Sequence, residues 1–175
     1  MKNSQTVVCL NTKGGVGKST ISTMVLPLVC NCKIVNVYEL DDNNKTMFSK
    51  SEHVQFKTLD VNYANSVISE IDFTNLTQSE ASVYNIIDIG GGNDTKTVLE
   101  AIKKSDFSGL TYVIPMNDDI EQVTNMFDTI KIIKETDVEA KIYVILNRVE
   151  RMDEESIRAQ FINVFGSENM GYQVT

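Results

Sequence analysis

The sequence predicts an α/β fold of three layers, in which a mostly parallel central sheet carries helices on both faces. Six short runs rich in Val, Ile and Tyr alternate with longer stretches of helical period, a pattern typical of βαβ units. Most of these runs are almost continuously apolar, as strands covered on both faces are. A glycine-rich loop separates the first run from the first helical stretch. Because no Pro-, Gly- or Ser-rich linker divides the 175 residues, we expect a single domain.

The six apolar runs are the predicted strands, at residues 6–11, 33–38, 54–59, 84–88, 110–115 and 141–147. Three stretches show the i, i+3, i+4, i+7 spacing of one helix face. Their apolar stripes are Ala64, Val67, Ile68 and Ile71; Ile120, Val123, Phe127, Ile130 and Ile133; and Ile157, Phe161 and Phe165. Asp118 or Asp119 is expected to cap the second helix, and Asp153 the third. We expect all three stripes to pack against the sheet and to carry no chemistry.

The composition excludes several classes of protein. A net charge of −8 gives the chain no general attraction for nucleic acid or anionic membranes. Three cysteines are too few for a disulfide scaffold and suit a reducing compartment. The longest apolar run, residues 24–30, is far shorter than the ~20 residues that span a bilayer. We therefore expect a cytoplasmic protein without a membrane helix.

The strongest motif covers residues 11–20, which read N-T-K-G-G-V-G-K-S-T. It follows a predicted strand and opens a helical stretch, which is the context of a phosphate-binding loop. Its glycines let backbone N–H groups approach a polyphosphate, and the helix N-terminus adds further donors. Lys18 is expected to bind the β- and γ-phosphates, Ser19 to hold Mg²⁺, and Thr20 to face the α-phosphate. The predicted phosphate-binding residues are Gly14, Gly15, Val16, Gly17, Lys18, Ser19 and Thr20.

The strict pattern G-x-x-x-x-G-K-[ST] is not met, because Thr12 stands where the first glycine belongs. The loop begins instead with an additional lysine, Lys13. In this respect the sequence resembles the deviant Walker A ATPases of the ParA/MinD family, over about residues 6–149. Asn11 also matches the asparagine that is common at this strand end in the partition members.

The resemblance implies a P-loop fold and a single nucleotide-binding domain over residues 1–175, with 150–175 as a short C-terminal extension. It implies ATP and Mg²⁺ as cofactors. It further implies an ATP-dependent homodimer, in which Lys13 reaches the phosphates that the other subunit binds. The catalytic residues implied in this way are Lys13, Lys18 and Asp41.

The segment after the second predicted strand carries the next candidate residues. Residues 38–44 read Y-E-L-D-D-N-N, where relatives read D-x-D-P-Q. The resemblance makes Asp41 the carboxylate that orients the attacking water and assists at the metal. Glu39, Asp42 and Asn43 depart from the family pattern, which bears on the rate of hydrolysis rather than on binding. A solvated acidic turn is the alternative interpretation.

The fourth predicted strand ends in Asp88 and is followed by Gly90, Gly91 and Gly92. An apolar strand that ends in a carboxylate is the Walker B arrangement, which binds Mg²⁺ directly or through water. The glycines are expected to form a switch that senses the γ-phosphate. The predicted metal-binding residues are Ser19, Asp41 and Asp88.

The sixth predicted strand ends in Asn147, followed by Arg148. An amide can pair with the adenine edge through one donor and one acceptor. The resemblance places Asn147 there, with Arg148 beside the base. Without the resemblance, the two residues would be read as a turn.

The leading hypothesis is an Mg-ATP-dependent, dimerising ATP hydrolase of the ParA type that is slow without a partner. Its role would be plasmid or chromosome partitioning, or the positioning of a large assembly. The family implies a stimulating partner protein and nonspecific DNA binding, although the charge of −8 disfavours DNA. A basic amphipathic membrane helix of the MinD kind is not found.

Two alternatives stay open at this stage. One is a non-enzymatic ATP-binding adaptor with weak hydrolysis, which the departures at Glu39 and Asp42 favour. The other is a metabolic or cofactor-assembly enzyme on the same core. The positions of the cysteines, all before residue 33, disfavour a cluster-binding enzyme.

Overall fold

The computed structural model describes residues 5–30, 32–41, 52–77, 83–105 and 107–166. Within these ranges six strands form one sheet, and all neighbouring strands run parallel. The strands are β1 Gln5–Cys9, β2 Ile34–Leu40, β3 Val54–Leu59, β4 Val83–Ile89, β5 Thr111–Met116 and β6 Lys141–Leu146. Their order across the sheet is β3-β2-β4-β1-β5-β6. The predicted α/β class is confirmed, with strand ends displaced by at most two residues.

Helices cover both faces of this sheet. They are α1 Lys18–Thr20, a π-helical turn Ile21–Val25, α2 Leu26–Val29, a 3-10 turn Val61–Tyr63, α3 Ala64–Thr77, α4 Asn93–Lys104, α5 Ile120–Thr136, α6 Glu154–Gln160 and α7 Ile162–Phe165. Successive residues of a strand face opposite sides. Val7 accordingly packs with Ile21 on one face, and Val8 packs with Ile68 on the other. The sheet is therefore the middle one of three layers. Within the described ranges, every helix is too short or too polar to cross a membrane.

The first apolar stripe and the cap of the second helix are as predicted. Ala64, Val67, Ile68 and Ile71 are all buried, as the first stripe predicts. At the second helix Asp119 is the cap, since its side chain accepts a hydrogen bond of 2.9 Å from the Glu121 backbone N–H.

The predicted buried face of α5 is partly wrong. Ile120 and Phe127 are 65% and 56% exposed. The buried positions of α5 are Gln122, Val123, Met126, Thr129 and Ile133. This face meets the phosphate loop, where the Thr129 hydroxyl lies 3.4 Å from that of Thr12. Because part of what it packs against is polar, apolar spacing alone selects the wrong side chains.

The third predicted stripe is divided between two short helices. Asp153 caps α6 by accepting a 2.9 Å hydrogen bond from the Ser156 backbone N–H. The helix ends at Gln160, and Phe161, whose backbone (φ −100°, ψ 35°) is not helical, separates it from α7. Phe161 itself is fully buried, so the core contact survives the break.

Candidate functional site

Three segments meet at the carboxyl edge of the sheet. The loop at 11–17 follows β1, Asp88 lies near the end of β4, and Asp41 follows β2. In the parallel register Asp88 stands beside Cys9 on one side and Glu39 on the other. Since parallel strands present their carboxyl ends at one edge, this is where α/β folds bind ligands.

Asn147, at the end of β6, packs on the phosphate loop. Its Nδ2 donates a 2.9 Å hydrogen bond to the carbonyl of Val16. Gly17, the N-cap residue of α1, has a φ of +94°. A Cβ at Gly17 would lie 2.2 Å from the Asn147 Nδ2 atom. Both the backbone angle and this close approach therefore require glycine there.

Lys18 is buried inside the loop, and its Nζ donates a 3.1 Å hydrogen bond to the carbonyl of Lys13. Burial lowers the pKa of Lys18, whereas the nearby carboxylates of Asp88, Asp41 and Asp94 favour its charged form. The ammonium group thus lies between the loop backbone and three acidic side chains. A phosphate oxygen is the kind of group that could replace the carbonyl as its acceptor.

Asp88 is a buried carboxylate whose two oxygens have no hydrogen-bond partner among the described residues. Burial raises the pKa of Asp88 to about 6, and the neighbouring hydroxyls of Ser19 and Ser22 oppose this shift. The Ser22 hydroxyl donates instead to the Lys18 carbonyl, at 3.0 Å. A buried charge without a partner is costly, so this group fits a bound cation.

The oxygen atoms available as metal ligands around Asp88 suit Mg²⁺ in particular. No three acidic, His or Cys side chains converge as a metal cage in the part of the chain that the structure describes. Mg²⁺ does not need such a cage, because it is usually held by one or two carboxylates together with water and substrate phosphates. Asp88 and the Ser19 hydroxyl beside it supply a set of that kind.

Lys13 occupies a different environment from Lys18. Its side chain is 46% exposed, and its Nζ lies 3.1 Å from Glu121 Oε2 in the first turn of α5. The Lys13 backbone N–H donates to Asn11 Oδ1 at 2.9 Å, and Asn11 Nδ2 donates to the Pro115 carbonyl at 2.8 Å. Asn11 therefore connects the start of the loop to β5 through two hydrogen bonds. The Lys13 side chain lies at the exposed edge of the site.

The glycine run after β4 connects the other two segments. The Gly90 N–H donates to the carbonyl of Leu40 at 2.9 Å, and the Gly92 N–H donates to that of Thr12 at 3.0 Å. These contacts join the end of β2 and the phosphate loop through one short segment. Its role as a γ-phosphate switch stays a prediction.

The remaining predicted residues lie at the rim or outside the described ranges. Thr20 and Arg148 are exposed, and Arg148 has a positive φ of 59°. The Asn147 Oδ1 atom accepts a 2.9 Å hydrogen bond from the Arg148 N–H. The structure therefore brings Asn147 to the loop, and its pairing with adenine stays a prediction. Asp42 and Asn43 lie outside the described residues.

Sequence reasoning missed Asp94 and Glu121. Asp94 is buried in the first turn of α4, and Glu121 is in the first turn of α5. An acidic residue in a first turn is favoured in any helix by the helix dipole. That signal is present in the sequence, but it does not distinguish a site residue from an ordinary one.

A family model, that of the CobQ/CobB/MinD/ParA nucleotide-binding domain, matches residues 7–174. The chain belongs to this family. The model covers nearly the whole sequence, including the loop, both acidic segments and Asn147. The family's domain is a nucleotide-binding domain.

Solved structures of MinD- and ParA-like proteins share the fold. A variant of Cyanothece McdA in complex with ATP has a TM-score of 0.60 at 15% identity, covering 94% of this chain and 80% of that one. MinD from Pyrococcus horikoshii OT3 with Mg-ADP has a TM-score of 0.58 at 16% identity, covering 90% and 77%. A plasmid partition protein from Borrelia burgdorferi has a TM-score of 0.56 at 17% identity, covering 93% and 83%. A comparison with curated proteins found no match.

Proposed function

We propose that this chain is an Mg²⁺- and ATP-dependent ATPase of the ParA type that forms a homodimer around bound ATP. The observation that carries the proposal is the division of the loop between two lysines. Lys18 is buried beside Asp88, whereas Lys13 is half exposed at the rim. One lysine thus serves the nucleotide of its own chain, and the other is available to a second copy.

Apart from Lys13, the residues that we propose for binding and hydrolysis come from the chain that holds the nucleotide. The backbone from Gly14 to Thr20 and the Lys18 ammonium would bind the phosphates, while Ser19 and Asp88 would hold Mg²⁺ with Asp41 assisting. Mg²⁺, when bound, neutralises charge on the phosphate oxygens. Asp41 would accept a hydrogen bond from the attacking water. Asn147 and Arg148 would contact the base.

The surface around Lys13 supports a second copy of the chain as its partner. Ile120 and Phe127 are largely exposed and lie seven residues apart, on the same face of α5. Glu121, which holds Lys13, is adjacent to Ile120. Exposed large apolar side chains that share one face, aromatic ones in particular, are enriched at protein–protein contacts. Since the target of Lys13 is a polyphosphate, a copy carrying the same loop is the fitting occupant.

The proposed cellular role is based on the relatives. McdA, MinD and a plasmid partition protein share this fold. We propose that the chain acts in the cytoplasm in DNA partitioning or in positioning a large assembly, with a partner protein that stimulates hydrolysis. The net charge of −8 requires any nonspecific DNA contact to be local.

Light scattering tests the dimer. With Mg-ATP, the Asp41→Ala variant should have twice the monomer mass of 19.6 kDa, because it binds ATP and hydrolyses it poorly. With Mg-ADP or without nucleotide, it should have the monomer mass. A monomer at saturating Mg-ATP would contradict the proposal.

The second candidate is an ATP-binding adaptor without useful hydrolysis. Glu39 favours it, because this buried residue stands where relatives have an aspartate, and its carboxylate accepts a 2.8 Å hydrogen bond from the Thr58 hydroxyl on β3. Phosphate release separates the two candidates. Turnover that Asp41→Ala abolishes supports the ATPase, and ATP binding without any turnover supports the adaptor.

A further inference from the structure

Asp94 and Asp41 approach the same point from two different segments. Asp41 follows β2, and Asp94 lies in the first turn of α4. The carboxyl carbons of both residues lie 3.1 Å from the position that a Cβ on Gly90 would take, and Asp94 Oδ2 lies only 2.2 Å from it. Because Gly90 has no side chain, the carboxyl groups of Asp41 and Asp94 can both lie close to this point.

Both carboxylates belong electrostatically to the phosphate-binding site. Each favours the charged form of the Lys18 ammonium. Asp94 is only 7% exposed, a burial that a carboxylate in an ordinary first helical turn does not need. The beginning of α4 is also fixed against the glycine run, because the Thr95 hydroxyl donates a 3.0 Å hydrogen bond to the Gly90 carbonyl.

A second, independent observation also points to a ligand at this site. The Asp88 oxygens are buried without a hydrogen-bond partner in the described part of the chain. Asp88 and Gly90 are separated by a single residue, Ile89. The carboxylate pair thus borders a place that is already built for a cation and its phosphates.

We propose that Asp94 is a second catalytic carboxylate, which together with Asp41 orients the water that attacks the γ-phosphate. This inference rests on the proposed ATPase function. A water molecule has two O–H donors, and two neighbouring carboxylates can accept both of them. With its hydrogens held in this way, the water presents its lone pair to the phosphorus.

The proton and bond balance is complete within this site. The water oxygen forms a bond to the γ-phosphorus, and the bond from that phosphorus to the β–γ bridging oxygen breaks. The bridging oxygen leaves with ADP. One water proton passes to a carboxylate oxygen of the pair and then to the released phosphate, so that the pair returns to its starting charge.

The position of Asp94 links this chemistry to the glycine run. Gly90 bonds to the end of β2, and Gly92 bonds to Thr12 in the phosphate loop. Any movement of the run when a γ-phosphate arrives would move Asp94 relative to Asp41. The second carboxylate would then complete the site only when ATP is bound.

The test compares Asp94→Asn with Glu100→Gln, which removes the same charge from an exposed position on the same helix. Asp94→Asn keeps the shape of the side chain but loses one of its carboxylate oxygens. We expect kcat to fall about 100-fold in Asp94→Asn, a size typical of a lost acid–base or water-positioning group. The affinity for a fluorescent, non-hydrolysable ATP analogue and the urea unfolding midpoint should both stay within error of the parent. Glu100→Gln should leave all three quantities unchanged.

Gly90→Ala provides a second, independent variant, because its Cβ would displace the Asp94 carboxylate. It should lower kcat at least as much as Asp94→Asn while analogue binding persists. A kcat within threefold of the parent in Asp94→Asn, with Asp41→Ala inactive, would overturn the inference and leave the ATPase proposal standing. Loss of analogue binding and stability in Asp94→Asn would also overturn it, since Asp94 would then be structural. A parent protein that binds ATP without turnover would instead defeat the ATPase proposal itself.

Discussion

Lys13 and Lys18 lie five residues apart in one loop, yet the structure gives them opposite surroundings. Lys18 is buried, donates to the loop backbone and interacts with three carboxylates. Lys13 is half exposed, and its ion pair with Glu121 lies at the protein surface. The same residue type is thus fixed in one place as part of a binding site and left accessible in the other.

This difference separates what one chain can do from what needs two. The inner half of the loop, with Lys18 and Ser19, already lies against the Asp88 carboxylate. The outer half, with Lys13, has its charge balanced by a weak surface pair that another anion can replace. Changes at the inner half should therefore affect binding and stability, whereas changes at the outer half should affect assembly.

The largest effect on stability is expected at Asp88. Its pKa is raised from the ordinary 3.8 to about 6, so the folded protein without nucleotide is favoured while this carboxyl is protonated. That stabilisation is complete below pH 3.8 and is lost as the pH rises through about 6. Asp88→Asn should therefore be more stable than the parent above pH 7, by up to about 3 kcal/mol.

Urea unfolding without nucleotide, at intervals from pH 4 to pH 8, measures this difference. The advantage of Asp88→Asn should grow between pH 4 and pH 6 and then level off. A stability difference that does not change with pH would show that folding does not raise the pKa of Asp88. The same variant should also lose the Mg²⁺ dependence of ATP binding.

A smaller effect, in this case a loss of stability, is expected when the inner half of the loop is distorted. Gly17→Ala places a residue with a Cβ at φ +94°, where that Cβ meets the Asn147 amide. A left-handed conformation costs a non-glycine residue about 1–2 kcal/mol, and the contact with Asn147 adds to this. Gly14→Ala is the matched control, because nothing lies within 4 Å of its Cβ. Equal unfolding midpoints for the two variants would contradict this account of the loop.

The smallest effect is expected at the outer half. Glu121→Gln removes the partner of Lys13 and should leave unfolding unchanged within error, because exposed ion pairs contribute little. It should lower the ATP concentration required for dimerisation by less than about fivefold, since Lys13 no longer has to leave Glu121. Asp128→Asn, an exposed change on the same helix, is the control. A dimer weakened by Glu121→Gln alone would mean that Glu121 positions Lys13 instead of restraining it.

The strands and the phosphate loop could be predicted from the sequence, because each is encoded by residues that are close together in the chain. The six apolar runs predicted the six strands to within two residues. The loop from Asn11 to Thr20 was recognisable because its glycines, lysine and hydroxyl groups follow one another in a known pattern. The buried face of α5 was not predictable in the same way, because Gln122 and Thr129 face the phosphate loop instead of an apolar layer. Polar residues in such positions break the periodic signal.

The contacts of Asp94 and Glu121 depend wholly on tertiary structure. Asp94 meets Asp41 only because β2 and β4 are neighbours, and Glu121 meets Lys13 only because β5 lies beside β1. In each case the two partners are far apart in sequence. Their spacing along the chain therefore gives no indication of contact.

The most direct test of the account compares Lys13→Gln with Lys18→Gln, both in the Asp41→Ala background. Each variant is measured for affinity to a fluorescent ATP analogue and for mass at saturating Mg-ATP. Lys18→Gln should lose affinity about 100-fold, as expected for charge-assisted bonds to phosphate, and should stay a monomer. Lys13→Gln should bind ATP within about threefold of its parent in the monomer, as an exposed charge permits, and yet remain at 19.6 kDa. A Lys13→Gln protein that dimerises like its parent, or that loses ATP as completely as Lys18→Gln, would contradict the division of the loop between two subunits.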